Sequence, residues 1–274
     1  KDGFQAVLQC RGLEELYVED QEIKGLLQEL EQKAAIRIVI LPPSNQTGEM
    51  LVTSTRSFLD RLKQEIDDPK RLIQAVPDHE SLSWRDTGQN LNDYIKAVGQ
   101  RYARQGVRLD YALAIRITKV KVQEEGQERH RKTMAVRDAN WSCKYDLKKK
   151  YGKKAVDYHY QYVLVEESIA VKASTEVLVV RLGEDLRKVS QEGINAETND
   201  IAQWAENIKL CLPKSKIVSD IIPDDLRKLR DGRRRLRSAQ VLTKELEDQL
   251  IGEISYRVQQ AFPQREVLQP KWSP

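Results

Sequence analysis

The chain has 274 residues, 40% of them hydrophobic and 32% charged, with a formal net charge of +4 and a mean hydropathy of −0.62. That length suits one large domain or two small ones, and that apolar share supports a core, which excludes wholesale disorder. The longest apolar runs, such as Ile38-Val39-Ile40-Leu41, fall far short of the ~20 residues of a membrane-spanning helix.

The first 106 residues read as an α/β region. Phe4–Cys10 is expected as a strand and Gln21–Lys33 as a helix, because Ile23, Leu26, Leu27 and Leu30 recur at three and four. Ile36–Leu41 reads as a strand rich in β-branched residues, stopped by Pro42-Pro43. Thr55–Ile66 is expected to be helical, and Asp68-Pro69 opens a short helix through Val76. Leu91–Gln105 returns to helical spacing, and Gly106 ends it.

Residues 107–182 are expected to hold a β-sheet. Leu109, Tyr111, Leu113, Ile115 and Ile117 alternate as one buried face, and the phase slips near Thr118, which predicts a β-bulge there. A polar, basic insertion over 123–154 is expected to interrupt the sheet. Strands resume at Val156–Val165, Ile169–Ala173 and Glu176–Leu182, with turns at Glu166–Ser168 and Ser174-Thr175. Residues 183–263 read as helical. The expected helices are Glu184–Gln191, a helix capped by Asn199 with Ile201, Trp204, Ala205, Ile208 and Leu212 on one stripe, one opened by Pro223-Asp224-Asp225, and one following Leu242, Leu246, Leu250, Ile254 and Val258. Residues 264–274 read as an extended tail. The fold class is therefore α+β, with a central antiparallel or mixed sheet at 108–182, flanking helices and a helical C-terminal third.

The chemistry is mostly negative. No Walker loop, dinucleotide glycine pattern, GxSxG elbow or HExxH occurs, so no cofactor is expected. The three cysteines, Cys10, Cys143 and Cys211, stand far apart and read as free thiols, with no metal site. The opening residues lack a signal-peptide core, and a cytoplasmic location is expected. No catalytic residue is assigned. A divergent metal-dependent nuclease is one alternative, with Asp157, Glu166, Glu167 and Lys172 as its candidates, although Ala170 stands where a second acid belongs.

Charge carries the clearest signal. Residues 1–100 hold 12 basic and 17 acidic side chains, residues 101–174 hold 17 and 9, and residues 175–274 hold 17 and 16. Lys144, Lys148, Lys149, Lys150, Lys153 and Lys154 lie within eleven residues, with Trp141, Tyr145 and Tyr151 interleaved. Lysines neutralise phosphates and aromatic rings stack on bases, so a loop of this kind suits nucleic acid. A second cluster holds Arg230, Arg233, Arg234, Arg235 and Arg237. Leu226, Leu229 and Leu236 suggest that these arginines line the outer face of a helix. The leading expectation is non-catalytic binding of single-stranded or structured nucleic acid through both clusters. The alternative from another class is a structural or adaptor subunit that docks an acidic protein partner. The oligomeric state is left open.

Overall fold

The computed structural model describes residues 7, 11, 21–47, 51–52, 54–81, 83–84, 90–138, 156–211 and 222–262. Within them the chain is α+β, built on one mixed sheet. Its strands are β1 (Ile36–Ile40), β2 (Ser44–Asn45), β3 (Ile73–Pro77), β4 (Tyr111–Asp138), β5 (Val156–Arg181) and β6 (Arg187–Cys211). Its helices are α1 (Gln21–Ala34), α2 (Thr55–Ile66), α3 (Leu91–Arg104), α4 (Asp224–Arg230) and α5 (Ala239–Gln260). No helix among the described residues is long and apolar enough to cross a membrane.

The strand order is β3-β1-β4-β5-β6, with β2 also on β4. β1 runs parallel to β3 and to β4, pairing Ile38 with Ala75 and with Tyr111. β2 is parallel to β4 through Ser44↔Arg116. The three long strands are antiparallel. Leu182 N donates to Asp110 O and Thr118 Oγ1 to Ser174 O, so numbers fall on β5 as they rise on β4. Ser174 Oγ reaches Asn195 and Gln203 reaches Glu166, which gives the same sense to β5 and β6.

Contacts divide the chain into two units, and β4, β5 and β6 contribute to both. The first comprises residues 1–121, 172–197 and 243–274. On one face of its sheet Val39, Leu41, Ala112, Ala114 and Val180 are buried under Tyr94, Ile95 and Val98 of α3. Asn90 caps α3 by accepting from Asp93 N at 2.9 Å, and Gly106 ends it at φ +74°, a conformation that favours glycine. Ile38 and Ile40 are fully buried on the opposite side of β1. α2 packs against β3 and is tied to α5 by Ser255 Oγ donating to Glu65 O at 2.7 Å and by Arg61 on Glu247 at 3.2 Å. The Tyr111 and Phe262 rings meet edge to face at 4.8 Å.

The second unit comprises residues 122–171 and 198–242. Its core lies under α4 and the chain that follows. Tyr160, Ala205 and Leu226 are buried together, flanked by Met134, Tyr162, Ile222 and Leu229. Val165, Ala202 and Trp204 form a neighbouring cluster with Leu236. The buried and half-buried apolar positions change phase on both strands. On β5 they run Tyr160, Tyr162, then Val163, Val165; on β6 they run Ala202, Trp204, then Ala205, Ile208. Asn207 takes φ +52°, a left-handed value that Asn tolerates better than most residues.

Several expectations are corrected. Residues 187–211 are strand, not the helices expected at Glu184–Gln191 and 199–212: the phase change places apolar residues at 202, 204, 205 and 208, which mimics a helical stripe. Residues 123–138 continue β4 and are not an insertion. Every residue from Glu124 to Thr133 is exposed, so no alternation marks the strand; cross-strand polar pairs line it instead. The phase slip near Thr118 falls where the continuous buried run of β4 ends, at Ile117. Glu166–Ser168 and Ser174-Thr175 lie inside β5 and make no turn. Asp68–Val76 is a turn followed by β3, not a helix. Val7, within the expected strand Phe4–Cys10, has helical backbone. The expected tail at 264–274 lies outside the described residues.

Candidate functional site

The lysine cluster, Lys144, Tyr145, Lys148, Lys149, Lys150, Tyr151, Lys153 and Lys154, lies outside the described residues. Its place in the topology is fixed by its ends. Asp138 closes β4 and Val156 opens β5, and with β6 antiparallel to β5, Cys211 closes β6 at that same end of the sheet. The connection from 212 to 221, which carries Lys214 and Lys216, therefore leaves from the end that bears the 139–155 connection.

The arginine cluster is described in full and does not form a helix face. α4 spans only Asp224–Arg230, and Asp231 ends it. Its carboxylate takes both Arg230 Nε at 2.9 Å and Nη2 at 3.1 Å, and the Arg230 hydrogen bond holds the Asp231 carboxyl below its ordinary range. Gly232 then turns the chain onto β6. A Cβ built on Gly232 would lie 2.4 Å from Gln203 O and 2.9 Å from Leu229 O, so no side chain fits there.

Arg233 and Arg237 close on Asp200 of β6. Arg233 Nη2 donates to Asp200 Oδ1 at 2.5 Å; Arg237 donates from Nε to Oδ1 at 3.2 Å and from its backbone N to Oδ2 at 2.7 Å. The Asp200 side chain is only 9% exposed. Burial pushes its carboxyl up, but the hydrogen bonds from Arg233 and Arg237 outweigh burial and hold it below the ordinary carboxylate value. The same two guanidiniums donate to β6 main-chain carbonyls, Arg233 to Ile201 O at 3.1 Å and Arg237 to Asn199 O at 3.3 Å. The carbonyls of 199, 201 and 203 alternate along one edge of β6. Arg237, Arg233 and the bare Cα of Gly232 approach them in turn. Residues 232–237 thus cap the edge of β6 with a loop, a recurrent way to protect unpaired strand groups.

Of the five arginines read as a phosphate surface, Arg233 and Arg237 serve this clamp and Arg230 pairs with Asp231. Arg234 and Arg235 remain exposed, as does Lys228. The shared helical face expected for the five is therefore corrected: they lie on a short helix end and an irregular loop. Sequence reasoning did not single out Asp200. A lone Asp in TNDIAQ carries no signal, and its partners lie over thirty residues away.

Of the nuclease candidates, Glu166 and Glu167 do not converge. Glu166 and Glu167 are consecutive in β5 and point to opposite faces; Glu166 accepts from Gln203 at 2.7 Å and Glu167 from Gln127 at 2.5 Å. Among the described residues no group of three His, Cys, Asp or Glu side chains is placed to hold a metal. His79 pairs with Asp60 at 2.9 Å and His130 with Glu128 at 3.1 Å.

The first unit holds a buried charge cluster at the end of β3. Asp78, fully buried just past the C-terminal end of β3, accepts from Arg101 Nη2 at 2.6 Å, and Arg101 Nη1 donates to Ser81 at 2.8 Å. Burial raises the Tyr94 and Tyr102 phenols beside it. A cavity of about 630 Å³ between α3 and the β5–β6 turn, lined by Lys96, Gly99 and Leu182 among others, does not include this cluster. The cluster reads as the anchor of α3 on the sheet.

No family model matches the chain, and no curated protein matches it. Three solved structures share part of the backbone arrangement. A hypothetical protein from Chlamydia trachomatis is 11% identical, with a TM-score of 0.39 over 84% of this chain and 99% of that one. A putative neuraminyllactose-binding hemagglutinin homolog from Helicobacter pylori is 8% identical, with a TM-score of 0.37 over 82% and 84%. A lipoprotein from Neisseria meningitidis is 12% identical, with a TM-score of 0.30 over 60% and 83%. At these scores the likenesses assign neither a family nor a function.

Proposed function

We propose that this is a non-catalytic binding protein that holds nucleic acid through the segment Lys144–Lys154. The observation that supports this reading most directly is topological. The ends of β4 and β6 and the start of β5 meet at one end of the antiparallel sheet, so the connections bearing Lys144–Lys154 and Lys214 with Lys216 depart together. A local concentration of cations with Tyr145 and Tyr151 suits a single strand, whose phosphates are neutralised while its bases stack. Arg234 and Arg235 are secondary contributors, and Arg233 and Arg237 are excluded because Asp200 and the β6 carbonyls occupy them.

An adaptor docking an acidic protein is the second reading, favoured by the same concentration of lysines. Competition separates the two. A fluorescent single-stranded oligonucleotide bound to the full chain is challenged with polyglutamate of equal charge. Retention of the oligonucleotide at equal charge supports base stacking and the nucleic-acid reading. Displacement at equal charge supports the acidic-partner reading.

A further inference from the structure

The two edges of the β4-β5-β6 part of the sheet are treated differently. The β6 edge is capped by residues 232–237. The β4 edge is satisfied only over its first residues, where Leu113 O accepts from Leu41 N and Ile117 O from Gln46 N, both at 3.0 Å. Beyond Ile117 no described strand pairs with that edge. An open edge of this length is a template for another strand.

The sequence along this edge is self-complementary. In β4 the acids Glu124, Glu125 and Glu128 precede the bases Arg129, Arg131 and Lys132, and all six are exposed. A two-fold axis through residue 128 of an antiparallel β4–β4 pair sets Glu124 opposite Lys132, Glu125 opposite Arg131 and Val122 opposite Met134. Val122 is 41% exposed, and this pairing gives it an apolar neighbour. Moving the axis to residue 127 sets Val122 against Lys132, and moving it to residue 129 sets Glu124 against Met134. Within residues 122–134 only Glu128, facing itself on the axis, opposes the arrangement, and the partner copy's His130 lies diagonally beside it; outside that span the same register sets Lys119 opposite Arg137. Cross-strand pairs of opposite charge stabilise an antiparallel pair and like charges oppose it, and of these three axes the one at residue 128 gives the most opposite-charge pairs together with the Val122–Met134 contact.

We propose that β4 is a self-association edge, through which two copies of this chain join into one continuous antiparallel sheet centred on Glu128. The interface is isologous, so every contact occurs twice. It is independent of the lysine segment and of nucleic acid.

The test is sedimentation equilibrium of the full chain without nucleic acid, together with charge reversals at exposed positions. Glu124→Lys and Lys132→Glu each place like charges opposite one another at two symmetry-related sites and should weaken the dimer about tenfold. The double variant E124K/K132E restores the pairing and should return to within about threefold of the wild type. Circular dichroism of each variant reports that the fold is retained. A register test uses Glu128→Cys with Cys10, Cys143 and Cys211 changed to Ser. Facing residues on an antiparallel pair lie about 4.5–5.5 Å apart, within disulfide reach, so mild oxidation should link two chains at 128 and not in a Glu184→Cys control. A chain that is monomeric up to about 100 µM, a dimer indifferent to both reversals, or failure to cross-link at 128 overturns the proposal.

Discussion

Removing the Asp200 carboxylate tests the edge clamp. In Asp200→Asn the shape is kept, but Arg233 and Arg237 lose their counter-charge and the Arg237 amide loses an ionised acceptor. A hydrogen bond to a charged group contributes about 1.5–3 kcal/mol, and breaking a buried pair costs about 3–5 kcal/mol. Arg233 and Arg237 are 46% and 36% exposed and can turn to water, which discounts the sum to about 2 kcal/mol. Urea unfolding followed by tryptophan fluorescence gives the value, since Trp204 is buried beside this clamp. Hydrogen exchange locates it: amides at 199–203 should lose protection first. The pH dependence has a defined sign. The carboxyl is held below its ordinary value, so its contribution is complete above the unfolded pKa of about 3.9 and is lost as pH falls through the folded value. The gap between wild type and Asp200→Asn should therefore close under strong acid. A loss below about 0.5 kcal/mol at neutral pH, or a gap that widens on acidification, would refute the clamp.

Other outcomes follow from particular contacts. Gly232→Ala should lower stability by about 1–3 kcal/mol in a thermal melt, because its Cβ meets the Gln203 carbonyl at 2.4 Å. Gly252→Ala, in open space within α5, should instead stabilise by about 0.5–1 kcal/mol. Leu113→Asp buries a charge at a position with no solvent exposure and should cost several kcal/mol, roughly 3–5, or prevent folding. Tyr145→Ala and Tyr151→Ala should each weaken binding of a single-stranded oligonucleotide by about 1–3 kcal/mol with little change in salt dependence, as read by anisotropy.

Several elements of the first unit, though not β3 or the start of β6, were legible because each hides one apolar face. Leu91, Ile95, Val98 and Tyr102 mark α3 at helical spacing, and Leu113, Ile115 and Ile117 mark β4 at strand spacing. The strand at Val156–Val165 and the helix opened by Pro223-Asp224-Asp225 were legible in the second unit, but much of the rest was not, for two physical reasons. From Glu124 to Thr133, β4 has no buried face, so alternation has nothing to report. In β6 the buried face changes phase between Trp204 and Ala205, which converts a period of two into an apparent helical stripe. The arginine cluster was visible as charge but misread as a surface. Its partner is one carboxylate and a row of main-chain carbonyls, and a row of carbonyls leaves no mark in sequence. The lysine cluster was read from composition alone, and topology adds only where its connection begins and ends.

The most direct test of the account compares the two basic clusters in one assay. Anisotropy of a labelled single-stranded oligonucleotide is measured across a salt series for the wild type, for Lys148, Lys149 and Lys150 changed to Gln, and for Arg233 and Arg237 changed to Gln. The account predicts that the lysine variant binds more weakly, with its salt slope flattened by about 0.7 per lost phosphate contact. It predicts that the arginine variant melts earlier yet, while folded, binds with the affinity and salt slope of the wild type. Loss of binding in the arginine variant with the lysine variant unaffected, or a wild type that binds no tighter than an unrelated basic protein, would contradict it.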